Sequence, residues 1–116
     1  MKQPRQLLLV DDDALIRLLV TTMLGVSGGW VVTEAATLAE AEGLLAAALP
    51  PDVVVLDESL PDGSGLELVA AVRQLPGPVH VVLYSGAVPA APPPGVDAVV
   101  QKGGAPDALL DHLASL

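Results

Sequence analysis

Residues 53–65 read VVVLDESLPDGSG. Four apolar residues, three of them β-branched, run without alternation into an aspartate, Asp57, and then into a turn of Pro61, Asp62, Gly63 and Ser64. A short apolar run bounded by turn residues reads as a strand buried on both faces, the pattern of a parallel sheet. A carboxylate at the end of such a strand asks what stands beside it.

Three other runs have the same character: QLLLV (6–10), VHVVLY (79–84) and AVVQ (98–101). A fifth, WVVTEA (30–35), is more polar and is expected at a sheet edge. Helical patterns separate the strands. The first, from Ala14 to Leu24, presents Leu15, Ile16, Leu19, Val20, Met23 and Leu24 as a core-facing stripe, with Gly25 and Gly28-Gly29 as its stop. The second, Leu38 to Leu49, turns Leu38, Ala41, Leu44, Leu45 and Ala48 inward and ends at Pro50-Pro51. The third starts near Gly65 and carries Leu66, Val69 and Ala70. The last starts at Pro106, with Leu109, Leu110, Leu113 and Leu116 as its buried stripe. Such alternation implies an α/β domain, a doubly wound five-stranded parallel sheet with helices on both faces and a crevice at the carboxyl ends of the strands. One segment breaks the rule. In GAVPAAPPPGVD (86–97), prolines at 89, 92, 93 and 94 exclude a helix interior, so the helix between the fourth and fifth strands is expected to be short or missing.

The 116 residues are 52% hydrophobic, which suits one domain spanning 1–116. Trp30 and Tyr84 are the only aromatics besides histidine, so the core is built from Leu, Val and Ala. A net charge of −9 repels phosphate backbones and argues against nucleic-acid binding by this chain. There is no cysteine, which removes disulfides, thiolate metal sites and a cysteine nucleophile. The basic start MKQPRQ leads to an apolar run too short for a signal peptide or a membrane span, and the chain reads as cytoplasmic.

The residues that follow the inner strands are Asp11-Asp12-Asp13, Asp57, Ser85 and Lys102. Parallel strands present the same end to the same side, so these groups converge on one rim. Clustered carboxylates repel unless a cation neutralises them, and a hard divalent ion such as Mg²⁺ suits them, keeping waters that a phosphoryl group can replace. Lys102 is the one basic residue at the rim, and with the Ser85 hydroxyl it suits the oxygens of such a group. Asp13 stands where the first helix starts and reads as its cap. Asp62 and Gly63 read as turn residues, and Asp97 as a loop acid. His80 and His112 show no partner in sequence and are assigned to structure. Glu58, beside Asp57, is expected to face solvent over the metal and to tune phosphoryl lifetime.

The stretches LLLVDDDALIR, PDVVVLDESLPDGSG, VVLYSGA and VVQK together resemble the receiver domain of two-component response regulators, over essentially the whole chain. The resemblance implies a flavodoxin-like sheet of order 2-1-3-4-5. It implies that Asp57 accepts a phosphoryl group from a sensor histidine kinase or a histidine phosphotransfer protein, without the chain being an enzyme in its own right. It further implies that Mg²⁺ is held by Asp11, Asp12, the Asp57 carboxylate and the Ser59 backbone carbonyl. Ser85 and Lys102 would bind the phosphoryl oxygens, Gly86 would leave room beside Ser85, and a downstream protein or output domain would read the change. Two positions depart from the family: Val99 stands where a Tyr or Phe is usual, and Gly103 replaces the usual proline after the lysine. These departures keep open a phosphorylation-independent docking module. An aspartyl-phosphate hydrolase ranks last, because its second acid is here Ser59.

Overall fold

The computed structural model describes residues 3–47 and 50–116. Strand β1 (Arg5–Val10) leads to helix α1 (Ala14–Ser27), strand β2 (Trp30–Ala35) and helix α2 (Leu38–Ala47). Strand β3 (Val53–Leu56) is followed by a miniature antiparallel hairpin, β4 (Ser59–Leu60) and β5 (Gly63–Ser64), and by helix α3 (Glu67–Arg73). Strand β6 (His80–Ser85), strand β7 (Ala98–Gln101) and helix α4 (Asp107–Ala114) complete the chain. The large sheet is parallel with order β2-β1-β3-β6-β7, which is 2-1-3-4-5 when its five strands are counted alone.

Each inner strand divides its side chains between two cores, which is why its sequence shows no apolar–polar alternation. Leu8, Val10, Val54, Leu56, Val81 and Leu83 face α2 and α3. Leu7, Leu9, Val53, Val55, Val82 and Tyr84 face the other layer, where Val20 and Leu24 of α1 and Leu109 and Leu113 of α4 cover them. β2 lies at the edge, as its polarity requires.

The helices differ from their sequence patterns in detail. α1 runs through Gly25 and stops at Gly28, whose φ of 77° is open to glycine at little cost. Only Val20 and Leu24 of its expected stripe are fully buried, with Ile16 packed partly beneath; Leu15 is 61% exposed, and Leu19 and Met23 face solvent with Leu18 and Val26. In α3, Leu68, Val69 and Val72 are buried and Ala70 is exposed. In α2, Leu38, Ala41 and Leu45 are buried and Leu44 packs beside them, while the inward reading of Ala48 lies outside the described residues. Leu116, read as part of the last buried stripe, is exposed beyond α4.

Residues 86–97 form no helix, as the prolines dictate. Arg73, the last residue of α3, ties this crossover down. Its guanidinium donates to the Gly95 carbonyl, to the Val79 carbonyl at 2.8 Å and to Asp97 Oδ2 at 2.7 Å. Asp97 in turn accepts from the Val81 amide at 2.8 Å, and its own amide donates to the Val81 carbonyl at 2.9 Å. Asp97 is thus a structural anchor rather than a free loop acid. The Val81 amide and Arg73 hold its carboxyl below the usual range despite partial burial, which pulls the other way. Arg73→Ala is expected to raise amide hydrogen exchange at Val96 and Asp97 by about tenfold, the equivalent of ~1.4 kcal/mol of local stability, measured by NMR against unchanged rates in β1.

Candidate functional site

The register of the sheet builds the rim. Val10 pairs with Leu56, so Asp11 and Asp57 leave β1 and β3 side by side, with the Asp57 amide donating to the Val10 carbonyl at 2.9 Å. Ser85 pairs with Gln101, which places Lys102 one residue past the end of β7, its amide on the Ser85 carbonyl at 2.8 Å. Asp11, Asp12 and Asp57 each offer a carboxylate oxygen within 4.8 Å of the others. Asp11 is buried, the Asp57 side chain is mostly buried and Asp12 is exposed, so the cluster opens to water on one side.

Lys102 Nζ stands 2.8 Å from Asp11 Oδ2 and 3.1 Å from Asp57 Oδ2. Burial disfavours its charge, but the hydrogen bonds and attraction of the two carboxylates outweigh that and raise its pKa above the ordinary lysine value. Asp57 shows the reverse balance. Burial raises its pKa, repulsion from Asp11 adds to this, and Lys102 and the Ser59 amide only partly compensate. Its carboxylate is therefore short of positive charge. Oxygen donors on three residues, one of them open to water, are the chemistry a hard divalent cation uses.

Ser85 is 5% exposed. Its hydroxyl donates to Glu58 Oε2 at 3.4 Å and accepts from the Ala87 amide at 3.3 Å. Glu58, expected to face solvent, leans instead over the pocket onto Ser85. The Ser59 amide donates to Asp57 Oδ1 at 3.4 Å, and Ser59 opens the β4–β5 hairpin opposite Ser64. That hairpin returns the chain across the site. The Gly65 amide donates to the Glu58 carbonyl at 2.8 Å, and a Cβ on Gly65 would run into the Asp57 carbonyl, so only glycine fits there. Gly86, expected to make room beside Ser85, would meet open space with a Cβ added.

Asp13 caps α1, accepting from the Leu15 amide at 2.9 Å and the Ile16 amide at 3.3 Å, and its own amide steadies Asp11 Oδ1 at 2.9 Å. Asp62 does more than turn the chain. It reaches α2 and accepts from the Leu38 and Ala39 amides at 2.8 and 3.0 Å, bonds that lower its pKa. Arg17, read in sequence only as a helix residue, donates to the Asp11 carbonyl at 2.7 Å while pairing with Glu34 at 3.2 Å. Its only sequence signal is a base one turn past the acidic triplet.

A family model described as the response regulator receiver domain matches residues 7–114. The chain belongs to this family. The receiver is 25% identical to a CheY-like receiver domain protein of Methanospirillum hungatei, with a TM-score of 0.84 over 97% of this chain and 93% of that one. It is 26% identical to the chemotaxis response regulator CheY4 of Vibrio cholerae, with a TM-score of 0.83 over 97% and 98% of the two chains. Among curated relatives, the KDP operon transcriptional regulatory protein KdpE of Escherichia coli is 44% identical over 68 residues, 58% of this chain and 29% of that protein. The curated relatives are matched over only 22% to 44% of their own length. Among the described residues, no helix of the receiver is long and apolar enough to cross a membrane.

The raised pKa of Asp57 fixes a sign. The folded state holds the Asp57 proton more tightly than the unfolded chain, so this residue lowers stability as pH rises from the ordinary value of 3.8 through the raised folded value. In Mg²⁺-free buffer at pH 7, Asp57→Asn is expected to melt a few degrees above the wild type, with the difference vanishing below pH 4. Thermal scans against pH that show the variant melting lower at pH 7 contradict this balance.

Proposed function

We propose that this receiver accepts a phosphoryl group on Asp57 from the phosphohistidine of a sensor histidine kinase or a histidine phosphotransfer protein, and passes the signal on by a change of conformation. The observation that carries the reading is the meeting of Asp11, Asp12, Asp57 and Lys102 at one rim. In the transfer, an Asp57 carboxylate oxygen forms a bond to phosphorus as the phosphorus–nitrogen bond of the donor imidazole breaks, its electron pair returning to that ring. Such transfers depend mainly on positioning and on neutralising charge.

Asp11, Asp12, the Asp57 carboxylate and the Ser59 backbone carbonyl would hold Mg²⁺, which supplies the positive charge that the Asp57 carboxylate lacks. Lys102 keeps its charge and its place beside the acceptor by pairing with Asp11 and Asp57. Ser85 must turn its hydroxyl from Glu58 toward a phosphoryl oxygen, so Glu58 competes with the phosphoryl group for one hydrogen bond. The answering surface is the pair of loops at 57–65 and 85–97. Val99 offers no aromatic ring to swing inward, and the helix-less crossover gives this receiver an output face of its own. The partner that reads it is a downstream protein or an output domain. These same two departures favour the second reading, a docking module that signals without phosphorylation.

Acid-labile label from a phosphorylated histidine donor is expected on the wild type and not on Asp57→Asn; an unlabelled wild type selects the docking module. Beryllofluoride with Mg²⁺ is expected to shift the amides of 57–65 and 85–97, and shifts confined elsewhere contradict the relay. Glu58→Ala is expected to change the half-life of the phosphorylated form, which a decay assay in Mg²⁺ measures; an unchanged half-life overturns its role in tuning that lifetime.

A further inference from the structure

The chain has two histidines, separated by 32 positions, and the fold brings them together. His80 opens β6 on the same face as Val82 and Tyr84, and His112 lies in the last turn of α4 beside the buried Leu113. Their Nε2 atoms are 3.0 Å apart, with ring centroids 5.2 Å apart and ring planes inclined by 27°. Two protonated Nε2 atoms cannot face each other at this distance, because each then carries only a donor. One shared proton or one shared cation must lie between them.

One carboxylate stands near the pair, with Arg73 and Arg5 close by. His80 Nδ1 faces Asp97 Oδ2 at 4.0 Å, and Asp97 is itself held by Arg73 and the Val81 amide. At that distance the carboxylate makes no hydrogen bond to the ring, but its charge favours the proton on Nδ1 and so leaves the lone pair on Nε2, the nitrogen that faces His112. Burial lowers the proton affinity of His80, and the nearby His112, Arg73 and Arg5 lower it further against the pull of Asp97. The ring is thus neutral at neutral pH. Two imidazole nitrogens about 2.0–2.1 Å from a zinc ion, at an angle of about 90–110°, lie about 2.8–3.4 Å apart.

We propose that His80 and His112 form a second cation site, for a borderline divalent transition metal such as Zn²⁺, which fastens α4 to β6. The site lies at the opposite end of β6 from Ser85, five strand steps or about 16 Å away. The two ends sort metals by ligand type: carboxylates and waters suit Mg²⁺, and imidazoles suit Zn²⁺, Ni²⁺ and Cu²⁺. Water fills the positions that the two rings leave, so the metal exchanges freely. Because the ion binds the folded arrangement and joins residues far apart in sequence, it stabilises the C-terminal helix.

The test uses the Asp57→Asn chain in saturating Mg²⁺, so that the acid rim is silenced and the result is independent of the phosphoryl-transfer reading. Titration with Zn²⁺ is expected to show one ion per chain by calorimetry and a rise of several degrees in Tm, with ¹⁵N shifts at Nε2 of both histidines. His112→Ala, on the outer helix, and His80→Ala are each expected to weaken zinc binding at least about tenfold, as loss of one of two ligands requires. Absence of stoichiometric binding overturns the proposal and leaves a shared proton between the rings. Undiminished affinity in a folded His112→Ala variant overturns it equally.

Discussion

Lys102 Nζ, at 2.8 Å from Asp11 and 3.1 Å from Asp57, holds together the ends of three strands that like charge would otherwise force apart. Asp11 is buried at the end of β1, and a buried carboxylate without a partner is among the costliest groups a fold can carry. The ammonium satisfies it from the end of β7, across the width of two intervening strands. The arrangement leaves Asp57 with the smaller share of the compensation, as its raised pKa shows. A site whose charge is nearly but incompletely balanced is poised to take up more positive charge, and any change of charge at Asp57 is felt by every member of the group.

Around this charge set, backbone and side-chain contacts fix each participant from outside. Arg17 grips the Asp11 carbonyl, Asp13 caps α1 and steadies Asp11, and Gly65 lets the β4–β5 hairpin close against Asp57. The weakest tether belongs to Ser85, whose bonds to Glu58 and Ala87 are both long. The Ser85 hydroxyl is thus the polar group of the rim held least firmly.

The inner strands were legible because VVVL and its relatives are apolar on both faces, and a single rim follows once the strands are parallel. Val53–Leu56, Ala98–Gln101 and Trp30–Ala35 fall where the sequence places them. The proline-rich crossover was equally plain, since proline forbids a helix interior whatever the tertiary context. α1 was less so: in a helix this rich in Leu, Val and Met, composition cannot say which apolar side faces the sheet, and Leu15 and Leu18 point outward. The contacts beyond reach were those between distant residues. Asp62 capping α2, Arg73 binding Asp97 and His80 meeting His112 all join residues more than 20 positions apart, and none leaves a local pattern. Glu58 was misplaced for a similar reason, because its partner Ser85 lies 27 positions away.

The crossover from Ser85 to Ala98 has a further meaning in terms of conformational entropy. A helix keeps its shape through internal hydrogen bonds, whereas residues 86–97 make few. Their prolines restrict φ before folding begins, so the unfolded chain has less freedom to lose there. The Arg73 and Asp97 contacts then need to fix only the far end. The segment joins the hydroxyl at one end of β6 to the edge strand β7 that leads to Lys102, at a lower entropic cost of ordering than a proline-free loop of the same length.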